Sequence, residues 1–203
     1  MLMNRAETLA LNNPGRRALQ RFHETPRLIR LGGRTAGARV AEIGCGSGYG
    51  TRLIIDKFGA ARVDAVDLDP KMIDRACRRL HRYSSAVNLA VGSATDLGAA
   101  LGAADATYDA VYDFAIIHHV PVWRDAVAEA ARVLKPGGRF YFHEVTAAAL
   151  ARPTYRRLFD HPERDRFTAG GFLAELPLHG LDVGDRWATY IGSDYLLGVA
   201  HRR

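Results

Sequence analysis

The stretch at residues 40–50 constrains the fold more than any other part of the chain. It reads Val-Ala-Glu-Ile-Gly-Cys-Gly-Ser-Gly-Tyr-Gly, an apolar run with an acid and then glycines at alternating positions. A strand that leads through such a turn into a helical pattern lets a ligand approach the backbone without Cβ atoms in the way. The dinucleotide fingerprint needs another glycine three residues after Gly46, and Tyr49 stands there. The spacing therefore predicts a nucleotide-type pocket and excludes the dinucleotide fingerprint.

The bulk composition is that of a soluble globular protein. The chain has 203 residues, of which 48% are hydrophobic and 25% charged, and no apolar run approaches the length of a membrane span. Its first residues mix charges into the sequence, unlike a signal peptide. We expect one domain over residues 1–203, located in the cytoplasm and without stable membrane insertion.

The charge pattern argues against a nucleic-acid partner. The formal net charge of +6 is carried almost wholly by arginine. A nucleic-acid footprint needs a basic stripe interleaved with stacking aromatic side chains, whereas an arginine-rich helix is more often a solvated face. The densest basic group, on one predicted helix, is Arg75, Arg78, Arg79 and Arg82. We expect no nucleic-acid partner, and a homodimer is left open.

Cysteine and histidine spacing indicates neither disulfides nor a metal site. Cys45 lies in the glycine turn and Cys77 in a helical pattern, which is too few for a disulfide framework or a zinc site. His143, His161 and His179 are too dispersed to bind a metal together. We expect no metal.

Strand and helix patterns alternate after residue 37, which is typical of right-handed βαβ units and a parallel sheet. The predicted strands are 39–43, 62–66, 86–91, 108–114 and 139–144. The predicted helices are 47–58, 70–83 and 123–134. Residues 38–145 thus form the expected ligand-binding core.

Two flanking segments depart from that alternation. Residues 1–37 form a predicted helical leader, broken at 12–15 and again before Pro26, that either covers the ligand crevice or only stabilises the sheet. Residues 146–203 begin with irregular helices and end in predicted strands at 181–190 and 193–202. The two-residue link between these strands allows a hairpin and forbids a crossover, so the last strand should be reversed. The predicted sheet has seven strands.

Four motifs together resemble the class I S-adenosylmethionine-dependent methyltransferases, in particular the ubiquinone/menaquinone-type small-molecule branch. They are Val-Ala-Glu-Ile-Gly-Cys-Gly-Ser-Gly at 40–48, Ala-Val-Asp-Leu-Asp-Pro at 65–70, Phe-Ala-Ile-Ile-His-His-Val at 114–120 and Arg-Val-Leu-Lys-Pro-Gly-Gly at 132–138. The resemblance implies a Rossmann-like α/β fold, a seven-stranded mostly parallel sheet with a reversed last strand, and helices on both faces. It implies S-adenosyl-L-methionine as the cofactor.

The predicted cofactor contacts follow from the chemistry of that ligand, which carries a ribose diol, a charged methionine tail and an adenine but no pyrophosphate. Asp67, at a strand end, is the natural acceptor for the two ribose hydroxyls. The resemblance implies that Glu42 supports the methionine end. The family has Gly-Asp-Ala after the third strand, whereas this chain has Gly-Ser-Ala at 92–94, which leaves a hydrogen bond from Ser93 and the Ala94 N–H. Asp96 either substitutes for the missing carboxylate or caps a turn.

The remaining predicted site residues follow from the same resemblance. Further cofactor-binding positions are Ile43, Gly44, Cys45, Gly46, Gly48, Leu68, Thr95, Asp113 and Phe114. His118 or His119 could take a proton from a hydroxyl or amine nucleophile, and Asp113 borders the substrate side. Either imidazole could instead only hydrogen-bond a backbone group. Tyr49 and Glu144 are additional candidates.

The sequence therefore predicts a methyltransferase that acts on an O, N or C nucleophile of a small, partly apolar acceptor. Methyl transfer is an in-line displacement, for which alignment and exclusion of water are the main requirements. Two alternatives remain: a relative that uses the cofactor to catalyse cyclisation or rearrangement, and a cofactor-binding module without catalysis. Fold alone does not decide among them.

Overall fold

The computed structural model describes residues 13–158, 162 and 164–203. Its centre is one mixed sheet with the strand order β3-β2-β1-β4-β5-β8-β6, and β7 pairs with β8 beside this path. The strands are β1 (Arg39–Ile43), β2 (Arg62–Asp67), β3 (Val87–Val91), β4 (Tyr108–Phe114), β5 (Leu134–Val145), β6 (Leu181–Asp182), β7 (Trp187–Tyr190) and β8 (Tyr195–Arg202).

The first five strands are parallel, and their order creates the binding crevice. β1 pairs in parallel with β2 on one side and with β4 on the other, so the chain changes direction across the sheet after β3. In open α/β sheets, ligands bind at the carboxyl ends of the two strands that flank such a switch point. Ile43 and Asp113 are register partners at these two ends.

The α-helices cover both faces of this sheet. They are α1 (Pro14–Leu19), α2 (Thr25–Gly32), α3 (Tyr49–Leu53), α4 (Pro70–Leu80), α5 (Leu97–Leu101), α6 (Trp123–Val133), α7 (Ala147–Leu150), α8 (Pro153–Leu158) and α9 (Ala169–Glu175). Alternate strand residues enter two separate apolar clusters: Val40 packs with Leu28 and Phe58, while Ala41 packs with Val127 and Phe172. The sheet is therefore buried on both sides, as its apolar strands require.

The predicted fold class is confirmed, including the reversed strand. β8 runs antiparallel to β5, with Phe142 opposite Gly198. The single strand expected at 181–190 is instead two short strands, because the chain turns at Gly184, whose φ is +51°. Both pieces pair antiparallel with β8. The turn between β7 and β8 spans residues 191–194, two more than expected.

The helical leader differs from its prediction at one point. Residues 1–12 lie outside the described part, so the expected helix there is not assessed. Helical backbone continues from α1 to α2 through a π-helical turn, Gln20–Glu24, rather than breaking before Pro26. A wider turn at this place accommodates a proline that has no N–H to donate. None of the helices in the described ranges has both the length and the apolar character needed to cross a bilayer.

Candidate cofactor cleft and active site

A cleft lies over the carboxyl ends of β1, β2 and β4, and it has two parts that share Gly44 and Ile116. We call the part beside Asp67 the Asp67 half and the part beside Glu42 the Glu42 half. The Asp67 half is lined by Gly44, Asp67, Leu68, Asp69, Gly92, Ser93, Ala94, Thr95, Ile116, His119, Val120, Pro121 and Val122. The Glu42 half is lined by Arg16, Gln20, Glu42, Gly44, Cys45, Gly46, Ser47, Tyr49, Gly50, Met72, Phe114, Ala115 and Ile116.

The glycine turn between β1 and α3 provides the floor of both halves. Gly44 has a φ of +65°, and a Cβ built on it would lie 2.1 Å from the Ile116 side chain. A Cβ on Gly48 would lie 2.7 Å from Leu80 of α4. The guanidinium of Arg79, also on α4, donates to the Ser47 carbonyl oxygen over 2.6 Å. Because Gly44 and Gly48 have no Cβ, the turn fits between α4 and the Ile116 side chain in the cleft.

Asp67 ends β2 and is 6% exposed. Its Oδ2 accepts the Gly46 N–H over 2.8 Å, and its Oδ1 accepts the Asp69 N–H over 2.9 Å. Burial raises the pKa of this carboxyl above its ordinary value, although the two backbone N–H donors act in the opposite direction. Each oxygen keeps a lone pair, so the carboxylate can still accept two hydroxyl groups from the cleft.

Glu42 sits at the penultimate position of β1 and is 1% exposed. Its Oε2 accepts the Thr51 hydroxyl over 2.5 Å. Burial raises the pKa of Glu42 to about 8, and the nearby Asp67 and Asp113 act in the same direction. A Cβ on Gly50 would lie 2.1 Å from Glu42 Oε1, so glycine at that position lets α3 begin beside the carboxyl. A buried acid with one hydroxyl partner is suited to a cation that enters the cleft.

The loop after β3 contributes small polar side chains. Ser93 Oγ lies 2.7 Å from Thr95 Oγ1 and accepts the Thr95 N–H over 3.1 Å, which fixes a local turn beside Ala94. Asp96 accepts the Ala99 N–H over 2.8 Å and is the N-cap of α5. The capping alternative for Asp96 thus has a direct contact in the structure.

Two buried acids and one histidine lie below the loop that follows β4. Asp113 Oδ1 accepts the Ile116 N–H over 3.0 Å, and Glu144 Oε2 lies 2.5 Å from His118 Nδ1. Burial and the neighbouring Glu144 raise the pKa of Asp113 well above its ordinary value, and burial raises that of Glu144 to about 7. Burial therefore favours the protonated form of both carboxyls.

Most of the predicted cofactor residues line the cleft. The predicted positions found there are Glu42, Gly44, Cys45, Gly46, Asp67, Leu68, Ser93, Ala94, Thr95 and Phe114. Ile43 lies in the apolar core, and Gly48 packs on α4. Tyr49 borders the Glu42 half, and His119 borders the Asp67 half.

Several lining residues were not predicted. Arg16 and Gln20 come from the leader, and the Arg16 guanidinium donates to both Glu24 oxygens over 2.9 Å. Met72 of α4 is buried and also reaches the cleft. Val120 is the last residue of the 114–120 motif, and Pro121 and Val122 follow it. The sequence predicts that the leader either covers the crevice or stabilises the sheet, but no sequence pattern marks Arg16 and Gln20 as the residues that line it.

The cleft fits an adenosyl cofactor without phosphates. Each half holds a buried acid, one placed for hydroxyl groups and one for a cation, and small backbone-rich turns lie between them. Within the described ranges, no group of three His, Cys, Asp or Glu side chains is arranged to hold a metal ion.

Comparisons with known proteins agree with this geometry. The family described as methyltransferase domain matches residues 40–138. A ubiquinone biosynthesis O-methyltransferase of Xanthomonas oryzae pv. oryzae is 37% identical over 120 residues, which are 57% of this chain and 47% of the relative. A fatty-acid O-methyltransferase of Mycolicibacterium smegmatis is 32% identical over 166 residues, which are 82% of this chain and 52% of the relative. The chain thus spans about half the length of these relatives.

A solved structure shows the same fold. Geranyl diphosphate C-methyltransferase from Streptomyces coelicolor A3(2), crystallised with S-adenosyl-L-homocysteine, superposes with a TM-score of 0.69 at 15% identity. The match covers 89% of this chain and 75% of that one. Sequence motifs and sheet topology agree, and residues 40–138 are similar in sequence to the class I S-adenosylmethionine-dependent methyltransferases.

Proposed function

We propose that the chain binds S-adenosyl-L-methionine across both halves of the cleft and transfers its methyl group to an oxygen of a small, partly apolar acceptor. The observation that carries this proposal is the pair of buried acids, Asp67 and Glu42, on either side of the glycine turn. Their separation into two connected halves suits a ligand with hydroxyls at one end and a cation at the other.

In the Asp67 half, the proposed contacts are to the adenosine. Asp67 accepts the ribose hydroxyls with the lone pairs that Gly46 and Asp69 leave available. Ser93 and the Ala94 N–H meet the adenine edge, and Val120 covers its ring. Because this wall has no carboxylate for the adenine amino group, apolar contact contributes a larger share of adenine binding.

In the Glu42 half, the proposed contacts are to the methionine tail. Glu42 faces the ammonium group, and ionises when that charge arrives. Arg16 faces the carboxylate, and its bonds to Glu24 fix the guanidinium in place. Phe114 and Ala115 border the position of the methyl group.

When bound, the cofactor supplies a methyl group on a sulfonium, which is already a good leaving group. The chain's own residues then align the acceptor and keep water away. In the proposed step, the acceptor oxygen forms the new O–CH₃ bond, the S–CH₃ bond breaks, and the hydroxyl proton leaves with a base or to water. A general base is not required by the geometry, so the roles of His119, His118 and Asp113 in proton removal stay predictions.

The acceptor class rests on the relatives. The names of these two O-methyltransferases refer to ubiquinone biosynthesis and to fatty acids, and ubiquinone and fatty acids both carry long apolar chains. The proposed acceptor therefore carries an oxygen nucleophile on an apolar body. We propose that it is a free small molecule met in the cytoplasm rather than a nucleic acid.

The proposal is tested with methyl-labelled S-adenosylmethionine and a small-molecule extract, followed by mass spectrometry of every compound that gains a methyl group. A labelled small molecule with an O–CH₃ group is the expected result. Consumption of an acceptor without any gain of label would favour cyclisation or rearrangement. Cofactor binding without any chemical change would favour a binding module.

A further inference from the structure

The loop at residues 115–120, which follows β4, is the wall that the two halves of the cleft share. Ala115 and Ile116 line the Glu42 half, while Ile116, His119 and Val120 line the Asp67 half. The Ile116 side chain rests on the backbone of Gly44, so a small shift of the loop changes the width of both halves. The position of this loop therefore determines how well the cleft fits its cofactor.

Two carboxylates below the loop hold it in place, Asp113 through the Ile116 N–H and Glu144 through the next two N–H groups. Glu144, on β5, accepts the Ile117 N–H with Oε1 over 2.7 Å and the His118 N–H with Oε2 over 3.3 Å. The loop needs such support because Ala115 has a φ of +64°, a conformation that residues with a Cβ rarely adopt. Glu144 is fully buried, so each of these bonds lies in a low-dielectric surrounding.

The His118 ring completes this attachment. Its Nδ1 lies 2.5 Å from Glu144 Oε2, and the two side chains are 4% and 0% exposed. His118 also borders a small gap with Trp123 and Arg166, and it lines neither half of the cleft. A bond between an imidazole N–H and a buried carboxylate is of the strong, charge-assisted kind.

We propose that His118 is a positioning residue, which through Nδ1 and Glu144 holds the shared loop in the form that binds the cofactor. It acts on the carboxylate that receives the Ile117 and His118 N–H groups, and it contacts neither acceptor nor cofactor. The inference rests on the proposed cofactor cleft for its binding readout, but the loop attachment itself is a property of the protein alone.

The test compares two amide substitutions of the same residue. His118→Asn places an N–H donor on the atom bonded to Cγ, where Nδ1 stands, whereas His118→Gln places its donor one atom farther out, near the position of Nε2. The two variants are matched in polarity and differ in which imidazole nitrogen they replace. Binding of S-adenosylhomocysteine is measured by calorimetry, and amide hydrogen exchange of residues 115–120 is measured without ligand.

His118→Gln is expected to weaken S-adenosylhomocysteine binding by roughly tenfold, the effect of losing one charge-assisted hydrogen bond, and to speed exchange in the loop. His118→Asn should remain close to the wild type in both measurements. Glu144→Gln should resemble His118→Gln, and the double variant should be no weaker than Glu144→Gln alone, because both changes break one interaction.

Three results would overturn the proposal: wild-type binding and exchange in His118→Gln, equal losses in the Asn and Gln variants, or additive losses in the double variant. If neither His118 variant folds, the ring is a general structural element and the proposal is wrong. If wild-type protein does not bind S-adenosylhomocysteine, the proposed cofactor site fails, while exchange rates in the ligand-free variants still decide the loop attachment.

Discussion

Glu42 and Asp67 have the same functional group in different surroundings, and the difference assigns their roles. Asp67 has two backbone N–H donors that favour its ionised form, whereas Glu42 has one hydroxyl and two neighbouring acids. An ionised carboxylate is ready to accept hydroxyl hydrogens, and a protonated one can release its proton when a cation arrives. In the proposed complex, the same side-chain chemistry serves a neutral diol at one end of the cleft and a charged tail at the other.

Cofactor binding should release a proton from Glu42. Its pKa of about 8 in the ligand-free protein means that it is largely protonated at neutral pH, and an incoming ammonium favours the carboxylate. Calorimetric titration of S-adenosylmethionine in two buffers of different ionisation enthalpy at about pH 7 measures this release. Proton release should be smaller at pH values above the pKa of Glu42, because its carboxyl is then already ionised before the cofactor binds.

Glu42→Gln provides the control, because it keeps the shape of the side chain and removes the titration. It should bind more weakly and lose the buffer dependence. Equal proton release in this variant and in the wild type would assign the proton to another group.

At the scale of elements, most of the sheet was predictable and part of the cleft was not. The strands of the parallel core follow from apolar runs that must be buried on both faces, and Asp67 and Glu42 are predictable because each lies within a recognisable motif. Arg16 and Gln20 reach the cleft only because the helical leader packs beside it. No local sequence pattern marks these two residues as cleft contacts. The division of the expected 181–190 strand after Asp182 likewise depends on pairing with β8, a strand farther along the chain.

The start of α3 offers a prediction about an element. Gly50→Ala should destabilise the protein by about 1–3 kcal/mol through overpacking, because the new methyl group would meet Glu42 Oε1 and Phe114. It should also weaken cofactor binding, since Glu42 would have to move. Chemical denaturation and calorimetry measure the two effects.

Gly170 is a matched control, because it too is the second residue of a helix, α9, and a Cβ there meets nothing within 4 Å. Gly170→Ala should stabilise the protein by up to about 1 kcal/mol and leave binding unchanged. Equal tolerance of both substitutions would contradict the account of the turn between β1 and α3.

At the scale of the whole molecule, a polar network joins the leader to β5 and β7. His143 on β5 lies 2.7 Å from the Tyr190 hydroxyl through Nε2, and Tyr190 donates to Glu24 over 3.5 Å. Glu24 also binds Arg16, which lines the Glu42 half. The leader is therefore held to β5 and β7 by buried polar contacts close to the cleft, and the network links global stability to the site.

This network makes a prediction about stability and pH. Burial lowers the pKa of His143 to about 4 from an ordinary value of 6.5, so the folded protein favours the neutral ring. The resulting stability is present above the unfolded pKa and is lost as pH falls from about 6.5 towards 4. Thermal unfolding of the wild type and of His143→Gln across this range measures the effect.

The glutamine variant can still hydrogen-bond Tyr190 but does not titrate, so its unfolding temperature should fall less steeply on acidification. Parallel curves for the two proteins would mean that His143 titrates alike in the folded and unfolded states, contrary to this account.

The Asp67 half is proposed to receive the ribose of S-adenosylmethionine, and calorimetric binding of S-adenosylhomocysteine to Asp67→Asn measures this contact directly. Replacing a charged acceptor of two hydroxyls should weaken binding by at least roughly tenfold. Asp96→Ala, which removes the cap of α5, should lower stability by about 1 kcal/mol and leave the affinity unchanged. Unaltered affinity in Asp67→Asn would contradict the proposed cofactor site.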